Sequence, residues 1–279
     1  MEQKSEKLLL EEGKREADFF DKEYVEADRR HSLEGYRIPE RVIQQVLNPA
    51  TPHLIWREYA VSLLGNLGGK KVLDYGAGDG WNAVCFAQAK ARVWAIDISE
   101  KGIELTKKKA AVNGVSEFVI AEVRNCYKTN FPSSMFDIVY GGGVLHHLDI
   151  EAVGKELSRI LHPDGVAVFL EPIRETRVMD FIKKAVLFII RRKALEVTED
   201  EAPLTSGRIN LLKPYFRIIN YRYFNVLSSA NLLIKSGLLK SFLLWADYLL
   251  IRFIPGFKLL GRAVVIELRQ PIKNTSALS

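Results

Sequence analysis

The middle of the chain alternates short apolar runs with longer amphipathic stretches, a pattern that predicts strands separated by helices. The predicted strands are Lys71–Tyr75, Arg92–Asp97, Glu117–Val123, Phe136–Tyr140 and Val166–Leu170. The predicted helices between them are Trp81–Lys90, Ser99–Val112 and Ile150–Leu161. Strands joined by helices of this length form βαβ units, so we expect a parallel sheet with helices on both faces.

The two ends of the chain carry different patterns. Residues 1–30 are highly charged and predict a helix whose buried contacts are Phe19, Phe20 and Tyr24, and Pro39–Asn48 predicts a short helix over the ligand site. Beyond Pro172 the predicted elements are a helix over Val178–Leu195, a polar loop over Thr198–Arg208, an aromatic strand region over Tyr215–Leu227, apolar helices over Ala230–Ile254 and a last strand over Arg262–Arg269.

Composition and charge narrow the class of protein. The 279 residues are 48% hydrophobic and 27% charged, which is typical of a globular chain. From Arg174 onward 18 Lys/Arg stand against 8 Asp/Glu, whereas the first 173 residues hold 22 against 26. A basic and apolar C-terminal third favours an anionic membrane surface or an amphiphilic anionic substrate over DNA. A solvated basic face over an ordinary core is the alternative.

No metal site, disulfide framework or secretory signal is predicted. The two cysteines, Cys85 and Cys126, lack the spacing of a disulfide framework or a zinc site. The charged N-terminus lacks an apolar signal region. No apolar stretch is long enough and free enough of charge to cross a bilayer. We therefore expect a cytoplasmic protein, with a peripheral position at the membrane as a further hypothesis.

A glycine-rich turn, Asp74-Tyr-Gly-Ala-Gly-Asp-Gly80, follows the first predicted strand and opens a helix. Such a turn lets the backbone approach a ligand closely. In a dinucleotide site the turn holds a pyrophosphate, but here the third glycine position falls on Trp81. Asp74 would repel a pyrophosphate and would accept well from a cationic amino group. S-adenosylmethionine has that group and no phosphate, so the turn favours this cofactor over NAD.

Asp97 ends the second predicted strand, 23 residues after Asp74. A carboxylate at this place can bind both hydroxyls of a ribose, which supports a nucleoside without choosing between nucleosides. The structural alternative for Asp97 is a helix N-cap beside Ser99.

With these residues the sequence resembles the class I methyltransferases, in the small-molecule branch that includes quinone-methylating enzymes. The matching stretches are Val72–Gly80, Ala95–Ile98, Phe136–Val139 and Val144–Leu148. The resemblance implies an α/β fold with a doubly wound, Rossmann-like sheet of seven mostly parallel strands, whose last strand is antiparallel. It also suggests three regions: an N-terminal helical cap (1–50), a cofactor-binding core (51–173), and lid or substrate insertions with the final strands of the same sheet (174–279).

The resemblance further implies the residues that bind S-adenosylmethionine. Carried over by position, they are Asp74, Gly76, Ala77, Gly78, Asp97, Ile98, Asn125, Cys126, Gly141 and Gly142. The family's usual acidic residue for the adenine amino group is missing after strand three. Counting back from Asp137 places Asn125 there, and counting forward along the strand places Glu122, so both stay open.

The substrate side offers weaker signals. The small residues Gly141–Gly143 would leave room for the reacting methyl group. His146 or His147 could take a proton from a hydroxyl acceptor, or could pack and orient a loop. Glu171 could likewise be a base or orient a loop. Methyl transfer needs little acid–base chemistry, because the sulfonium is already activated and positioning supplies much of the effect.

The C-terminal insertions predict the kind of acceptor. Leu195–Phe224 and the helices after Ser228, with the N-terminal helix, are expected to cover the cleft. The aromatic residues offered there are Phe181, Phe188, Tyr215, Phe216, Tyr221, Tyr223, Phe224 and Trp245. An aromatic lid predicts a small hydrophobic acceptor: a lipid, isoprenoid, quinone or polyketide-like molecule. The alternative for any one of these residues is that it packs in the hydrophobic core of the lid itself and does not contact the acceptor.

Three other functions compete with methyl transfer to a small molecule. An NAD-type oxidoreductase is disfavoured by Asp74 and Trp81. A membrane-surface binding protein with a degenerate cofactor fold is disfavoured by the intact glycine turn and Asp97. A nucleic-acid methyltransferase is disfavoured because the chain has neither a motif for a flipped base nor a recognisable RNA-binding module. The oligomeric state stays open.

Overall fold

The computed structural model describes residues 2–30, 33–176, 204–232, 234 and 236–273. The predicted helix Val178–Leu195, with Phe181 and Phe188, lies outside them. The described helices are α1 (Glu2–Arg30), α2 (Glu40–Leu47), α3 (Trp56–Ser62), α4 (Trp81–Gln88), α5 (Glu100–Val112), α6 (Ile150–Ile160), α7 (Ser206–Asn210) and α8 (Gly237–Phe253). The strands are β1 (Lys71–Tyr75), β2 (Arg92–Asp97), β3 (Val119–Val123), β4 (Phe136–Gly142), β5 (Leu161–Pro172), β6 (Phe216–Phe224) and β7 (Ala263–Pro271).

The seven strands form one sheet in the order β3-β2-β1-β4-β5-β7-β6. Strands β1 to β5 pair in parallel, and β7 runs antiparallel to both β5 and β6. This confirms the predicted Rossmann-like fold with a reversed last strand. Strand order reverses between β1 and β4, and in such sheets ligands bind beyond the carboxyl ends of the strands at that point.

Apolar residues pack on both faces of the sheet. One cluster joins β1, β2 and β5 to the helices α2 to α4 and includes Ile43, Phe86 and Val93. The other lies under α6 and includes Leu73, Phe136 and Leu157. Alternate residues of the same strand therefore point to opposite cores, which explains why these strands are near-continuous apolar runs.

Several element boundaries differ from the prediction. Strand β3 begins at Val119 and not at Glu117, and α7 begins inside the predicted loop Thr198–Arg208. Strand β5 begins at Leu161, directly after α6, whereas the predicted helix ran through Leu161 and the predicted strand began at Val166. The register against β4 shifts between Phe136 and Ile138, so the extra residues are accommodated as an irregularity inside the strand. Near the C-terminus, the segment Leu227–Leu232 is a separate 3-10 helix that precedes α8.

The polar helix α1 is attached to α5 by carboxylates. Asp21 accepts from the Ser99 hydroxyl and from the Lys101 amide at 3.1 Å. Asp28 pairs with the ammonium groups of Lys101 at 3.0 Å and Lys108 at 2.8 Å. These lysines and the Tyr36 hydroxyl hold the pKa of Asp28 below its usual range. The attachment fixes which side of α1 faces the end of the sheet.

Candidate active site

A cleft of about 450 Å³ opens at the carboxyl ends of β1 to β5. Its walls include the glycine turn, Asp97 and Ile98, the segment Asn125–Tyr127, and Gly142–Val144. The far wall comes from α1, through Gly13, Glu16, Phe20 and Tyr24. This volume is in the range of small-molecule sites.

The glycine turn adopts the backbone that its sequence predicts. Gly76 and Gly78 have φ angles of 72° and 55°. A Cβ on Gly76 would lie 2.6 Å from Val144 Cγ2, and one on Gly78 would lie 2.6 Å from the Tyr24 hydroxyl. Larger residues would therefore disturb either the loop after β4 or the position of α1.

Asp97 links the second strand to the glycine turn. Its Oδ2 accepts from the Gly78 amide at 2.8 Å, and its Oδ1 accepts from the Ser99 amide at 2.9 Å. Burial raises the pKa of the carboxyl against the opposing effect of these amides. The side chain stays 8% exposed on the cleft wall, where its remaining lone pairs can accept from a ligand.

Asp74 is fully buried and does not itself line the cleft, and both of its carboxylate oxygens lack a hydrogen-bond partner of normal geometry. Burial raises its pKa to about 7; the Ala83 amide opposes this, and the neighbouring carboxylates of Asp97 and Asp79 add to it. A buried, unpartnered carboxylate is costly unless a donor or a cation reaches it. A cationic ligand group at this end of the cleft would be attracted by the carboxylates of Asp74, Asp97 and Asp79, whereas a pyrophosphate would be repelled by them.

Of the two adenine alternatives, Glu122 lies within β3 and Asn125 follows it. Asn125 and Cys126 line the cleft, as does Ile98, whereas Glu122 is outside it and pairs with Arg124 at 2.7 Å. Asn125 Oδ1 accepts from the Tyr127 amide at 2.7 Å, which fixes the orientation of the amide group. Asn125 is therefore the better placed of the two.

The glycines at the end of β4 have separate roles. A Cβ on Gly141 would lie 2.7 Å from the Phe169 ring, so this residue permits close packing inside the sheet and does not line the cleft. Gly142 does line the cleft, and a Cβ there would have no heavy atom within 4 Å. Gly142, joined by Gly143, thus provides the open space expected beside a reacting group.

The three candidate bases differ in whether they line the cleft. Glu171 is fully buried and accepts from the amides of Val144 and Leu145, each at 2.9 Å, and pairs with His146 Nδ1 at 2.7 Å. Glu171 and His146 therefore hold the loop after β4 in shape and do not line the cleft. His147 does line it, with Nδ1 3.5 Å from a Glu16 carboxylate oxygen.

Comparisons with known proteins agree with this geometry. Residues 73–169 match the family model of a methyltransferase domain. The chain is similar to the demethylmenaquinone methyltransferase of Geobacillus kaustophilus, with 30% identity over 128 residues that cover 44% of this chain and 54% of the relative. It is also similar to the 27-O-demethylrifamycin SV methyltransferase of Amycolatopsis mediterranei, at 33% over 99 residues, 35% of this chain and 36% of the relative.

Residues 73–169 form a methyltransferase domain. Among solved structures, the fold is similar to a geranyl diphosphate methyltransferase in complex with geranyl diphosphate and sinefungin, with a TM-score of 0.54, 16% identity, and coverage of 76% of this chain and 77% of that chain. The class predicted from the sequence is confirmed, and with it S-adenosylmethionine as the cofactor. The chain spans about half the length of the demethylmenaquinone relative.

Sequence reasoning expected the N-terminal helix over the methyltransferase cleft but did not identify its cleft-facing residues or the contribution of α3. Gly13, Glu16, Phe20 and Tyr24 repeat at helical spacing along α1, a signal that could have identified the cleft-facing side of this helix. Trp56 and Arg57, at the start of α3, also line the cleft, with the Arg57 guanidinium over the ring of Trp81. No sequence motif marks that pair.

Of the expected covers of the cleft, the N-terminal helix α1 lines it, and the other described segments lie elsewhere. Helix α2 packs against α4 through the apolar cluster and does not line the cleft, so the prediction for Pro39–Asn48 was wrong in placement. Within the described residues 204–273, no side chain lines the cleft. Phe216 and Phe224 are buried in the sheet, and Trp245 packs edge-on against His53. Helices α1 and α3 supply the walls that the C-terminal aromatic residues were expected to supply.

Proposed function

We propose that this protein transfers the methyl group of S-adenosylmethionine to a small hydrophobic acceptor: a lipid, isoprenoid, quinone or polyketide-like molecule. The observation that carries the proposal is that the lining of the cleft is largely apolar. Phe20, Trp56, Val144, Leu148 and Leu170 contribute to it.

The names of similar proteins support this class of acceptor. They refer to demethylmenaquinone, 27-O-demethylrifamycin SV and geranyl diphosphate, each a largely apolar or aromatic molecule. For this chain the acceptor is inferred from the cleft wall, and these names favour the same kind of molecule.

We assign the ends of the cofactor to particular residues. The buried Asp74 carboxylate would pair with the ammonium of the methionine end, and Asp97 would accept from the ribose hydroxyls. Ile98 would pack on the adenine, and Asn125 Oδ1, which can accept a second hydrogen bond, would accept from its amino group. When bound, S-adenosylmethionine supplies an activated methyl group on its sulfonium.

For a hydroxyl acceptor, His147 is the residue placed to take the proton. Glu16 lies at its Nδ1, so an Nδ1–H donated to Glu16 leaves Nε2 as the basic atom. Phe20 packs edge-on against the imidazole with 5.6 Å between ring centroids. These contacts orient the ring. His146 and Glu171 are instead positioning residues, because they hold the loop that carries His147.

Transfer of a labelled methyl group tests the proposal. The purified protein is incubated with methyl-labelled S-adenosylmethionine and, in separate reactions, a demethylated quinone, an isoprenyl diphosphate, a phenolic polyketide, RNA and glycine. We expect label in one of the first three and in neither RNA nor glycine. Label only in RNA or glycine, or in none of the five, would contradict the proposal.

Substitution of His147 tests its assignment as the base, with a second histidine as the control. For a hydroxyl acceptor, His147→Ala should lower kcat by about 10²-fold or more, since a positioned base contributes this much, while the affinity for the cofactor stays within about twofold. His162→Ala changes an imidazole that is half exposed and remote from the cleft, and should leave kcat unchanged. An unchanged kcat in His147→Ala would remove the base role.

A further inference from the structure

Helix α8 presents a continuous apolar face to solvent. Its members are Leu238, Phe242, Trp245, Leu249 and Phe253, which repeat every three or four residues and therefore lie along one side of the helix. Leu238, Phe242 and Phe253 are 87%, 65% and 68% exposed. We call these five residues the α8 apolar face. Of fourteen exposed large hydrophobic residues in the described chain, eight lie between Leu238 and Leu259, so the exposure is concentrated in one patch. Such concentration marks an interaction surface.

The orientation of this face is fixed by the opposite side of the helix. Asp247 is the buried residue of α8, and its carboxylate accepts from the amides of Val226 at 3.1 Å, Leu227 at 2.7 Å and Ser228 at 2.9 Å. The Ser228 hydroxyl adds a fourth hydrogen bond at 2.5 Å. The α8 apolar face is thus held outward by a buried polar anchor.

The charges around the face have one sign. Between Leu227 and Leu260 the chain holds Lys235, Lys240, Arg252 and Lys258, and its sole acidic residue there is the buried Asp247. Over residues 204–273 the sequence has 11 Lys/Arg and 2 Asp/Glu, and the second acid, Glu267, is also buried at 9% exposure. No exposed carboxylate of this region therefore offsets the cations beside the apolar face.

We infer that α8 is an interfacial helix that docks this protein on an anionic lipid bilayer. An exposed apolar stripe with tryptophan and phenylalanine, bordered by lysine and arginine, is the chemistry that inserts into the headgroup and acyl boundary. The cations gain from the negative surface potential of anionic lipids. No helix in the described part of the chain is long and apolar enough to span a membrane.

The lipid surface suits the charge pattern better than other occupants. A second copy of this chain would bring the same basic surface, and the described residues 204–273 offer no exposed acid to meet it. A nucleic acid would satisfy the cations but would leave the apolar side chains in water. An anionic bilayer satisfies both the apolar face and its basic border.

The docking helix is coupled by contact to the cleft. His53 packs edge-on against Trp245 and Tyr248, with ring centroids 5.3 Å and 5.5 Å apart. Three residues later, Trp56 begins α3 and lines the cleft. Docking through α8 would bring this wall of the cleft near the bilayer. The significance of this approach to the bilayer rests on the proposed function, because it matters only for a lipid-soluble acceptor.

Sedimentation with vesicles tests the inference. The full chain, without methyl donor or acceptor, is mixed at low salt with vesicles of phosphatidylcholine alone or of phosphatidylcholine with phosphatidylglycerol. We expect binding to the anionic vesicles at least tenfold tighter than to the neutral ones, and weakened by salt. Absence of binding to anionic vesicles would overturn docking. Because no transfer is measured, this outcome is independent of the proposed function.

Matched variants identify the surface. Leu238→Ser/Phe242→Ser/Phe253→Ser should weaken binding at least tenfold, whereas Ile120→Ser/Val123→Ser/Leu211→Ser, at three exposed apolar positions outside α8, should stay within twofold. In Lys240→Gln/Lys258→Gln, each lysine removed should lower the affinity for anionic vesicles about fivefold. Lys107→Gln/Lys155→Gln serves as the control. Equal binding by the α8 variant and its control would overturn the assignment. So would concentration-dependent dimerisation that the α8 variant abolishes while vesicle binding persists, because it would assign the face to a second copy.

Discussion

Helices α1 and α8 are opposites in sequence and in exposure. The polar helix α1 lies over the mouth of the cleft, and the apolar helix α8 exposes most of its large side chains. What differs is the anchor. Several carboxylates of α1 reach groups of α5, whereas α8 is held by the single carboxylate of Asp247. The comparison teaches that the polarity of a helix does not decide its place; the partners of a few charged residues do.

Glycines make the close approach of α1 feasible. A Cβ on Gly13 would lie 3.0 Å from Ile98 Cδ1, and one on Gly102 would lie 3.1 Å from the ring of Tyr24. Neither glycine has a positive φ, so their role is to remove side-chain volume at the contact. On α8 the apolar face meets no such complement in the described chain.

The largest expected effect comes from breaking the anchor of α8. Asp247→Ala removes four hydrogen bonds and leaves buried donors without a partner, so we expect a loss of about 3 kcal/mol in the free energy of unfolding. Urea denaturation of the variant measures it. Asp164→Ala, at a side chain that is 94% exposed, is the control and should stay within about 0.5 kcal/mol. A loss below about 1 kcal/mol would show that Asp247 does not hold the helix.

A smaller effect is expected at the cleft that α1 covers. The pKa of Asp74 is raised to about 7 from its usual 3.8, so the free protein carries a protonated Asp74 below pH 7. Relative to the unfolded chain, this contributes stability that is full below about pH 4 and is lost as pH rises through about 7. An ammonium ligand requires the carboxylate, so its affinity should fall by up to about tenfold per unit as pH drops below 7.

Calorimetry from pH 5.5 to 8 checks this dependence. In Asp74→Asn the fall of S-adenosylmethionine affinity below pH 7 should disappear, and affinity at pH 8 should be about tenfold weaker or more. As a control, 5′-methylthioadenosine has the nucleoside but not the amino acid, and its affinity should be the same in both proteins. An equal loss of affinity for both ligands would show that Asp74 supports the glycine turn and does not pair with the ammonium.

The smallest effect is expected from loosening α1. Asp28→Ala removes partly exposed ion pairs to Lys101 and Lys108, so global stability should change by less than about 1 kcal/mol. Because α1 forms a wall of the cleft, we expect cofactor to dissociate a few times faster, as measured by stopped-flow fluorescence. Asp18→Ala, at an exposed position of the same helix, is the control. Identical rates of cofactor dissociation in the two variants would show that the attachment of α1 does not slow the release of the cofactor.

The central fold and the cofactor side of the cleft could be predicted because local signals specify them. Apolar runs, glycines at positive φ and carboxylates at strand ends recur at fixed spacing around Asp74 and Asp97. The reversed last strand came from the family resemblance. Residues joined by tertiary contact alone could not be predicted. Pairing of His146 with Glu171, and of His147 with Glu16, depends on how separate elements meet.

The most direct measurement is a calorimetric titration of S-adenosylmethionine into the wild type and into Gly142→Leu. Gly142→Leu is a more specific test than Gly76→Val. A side chain at Gly142 enters the open cleft, whereas one at Gly76 would clash with Val144 and disturb the fold. We expect one cofactor site in the wild type, no heat with NAD, and binding lost in Gly142→Leu at unchanged thermal stability. Absence of cofactor binding in the wild type, or equal affinity in both proteins, would contradict a methyl-donor site in this cleft.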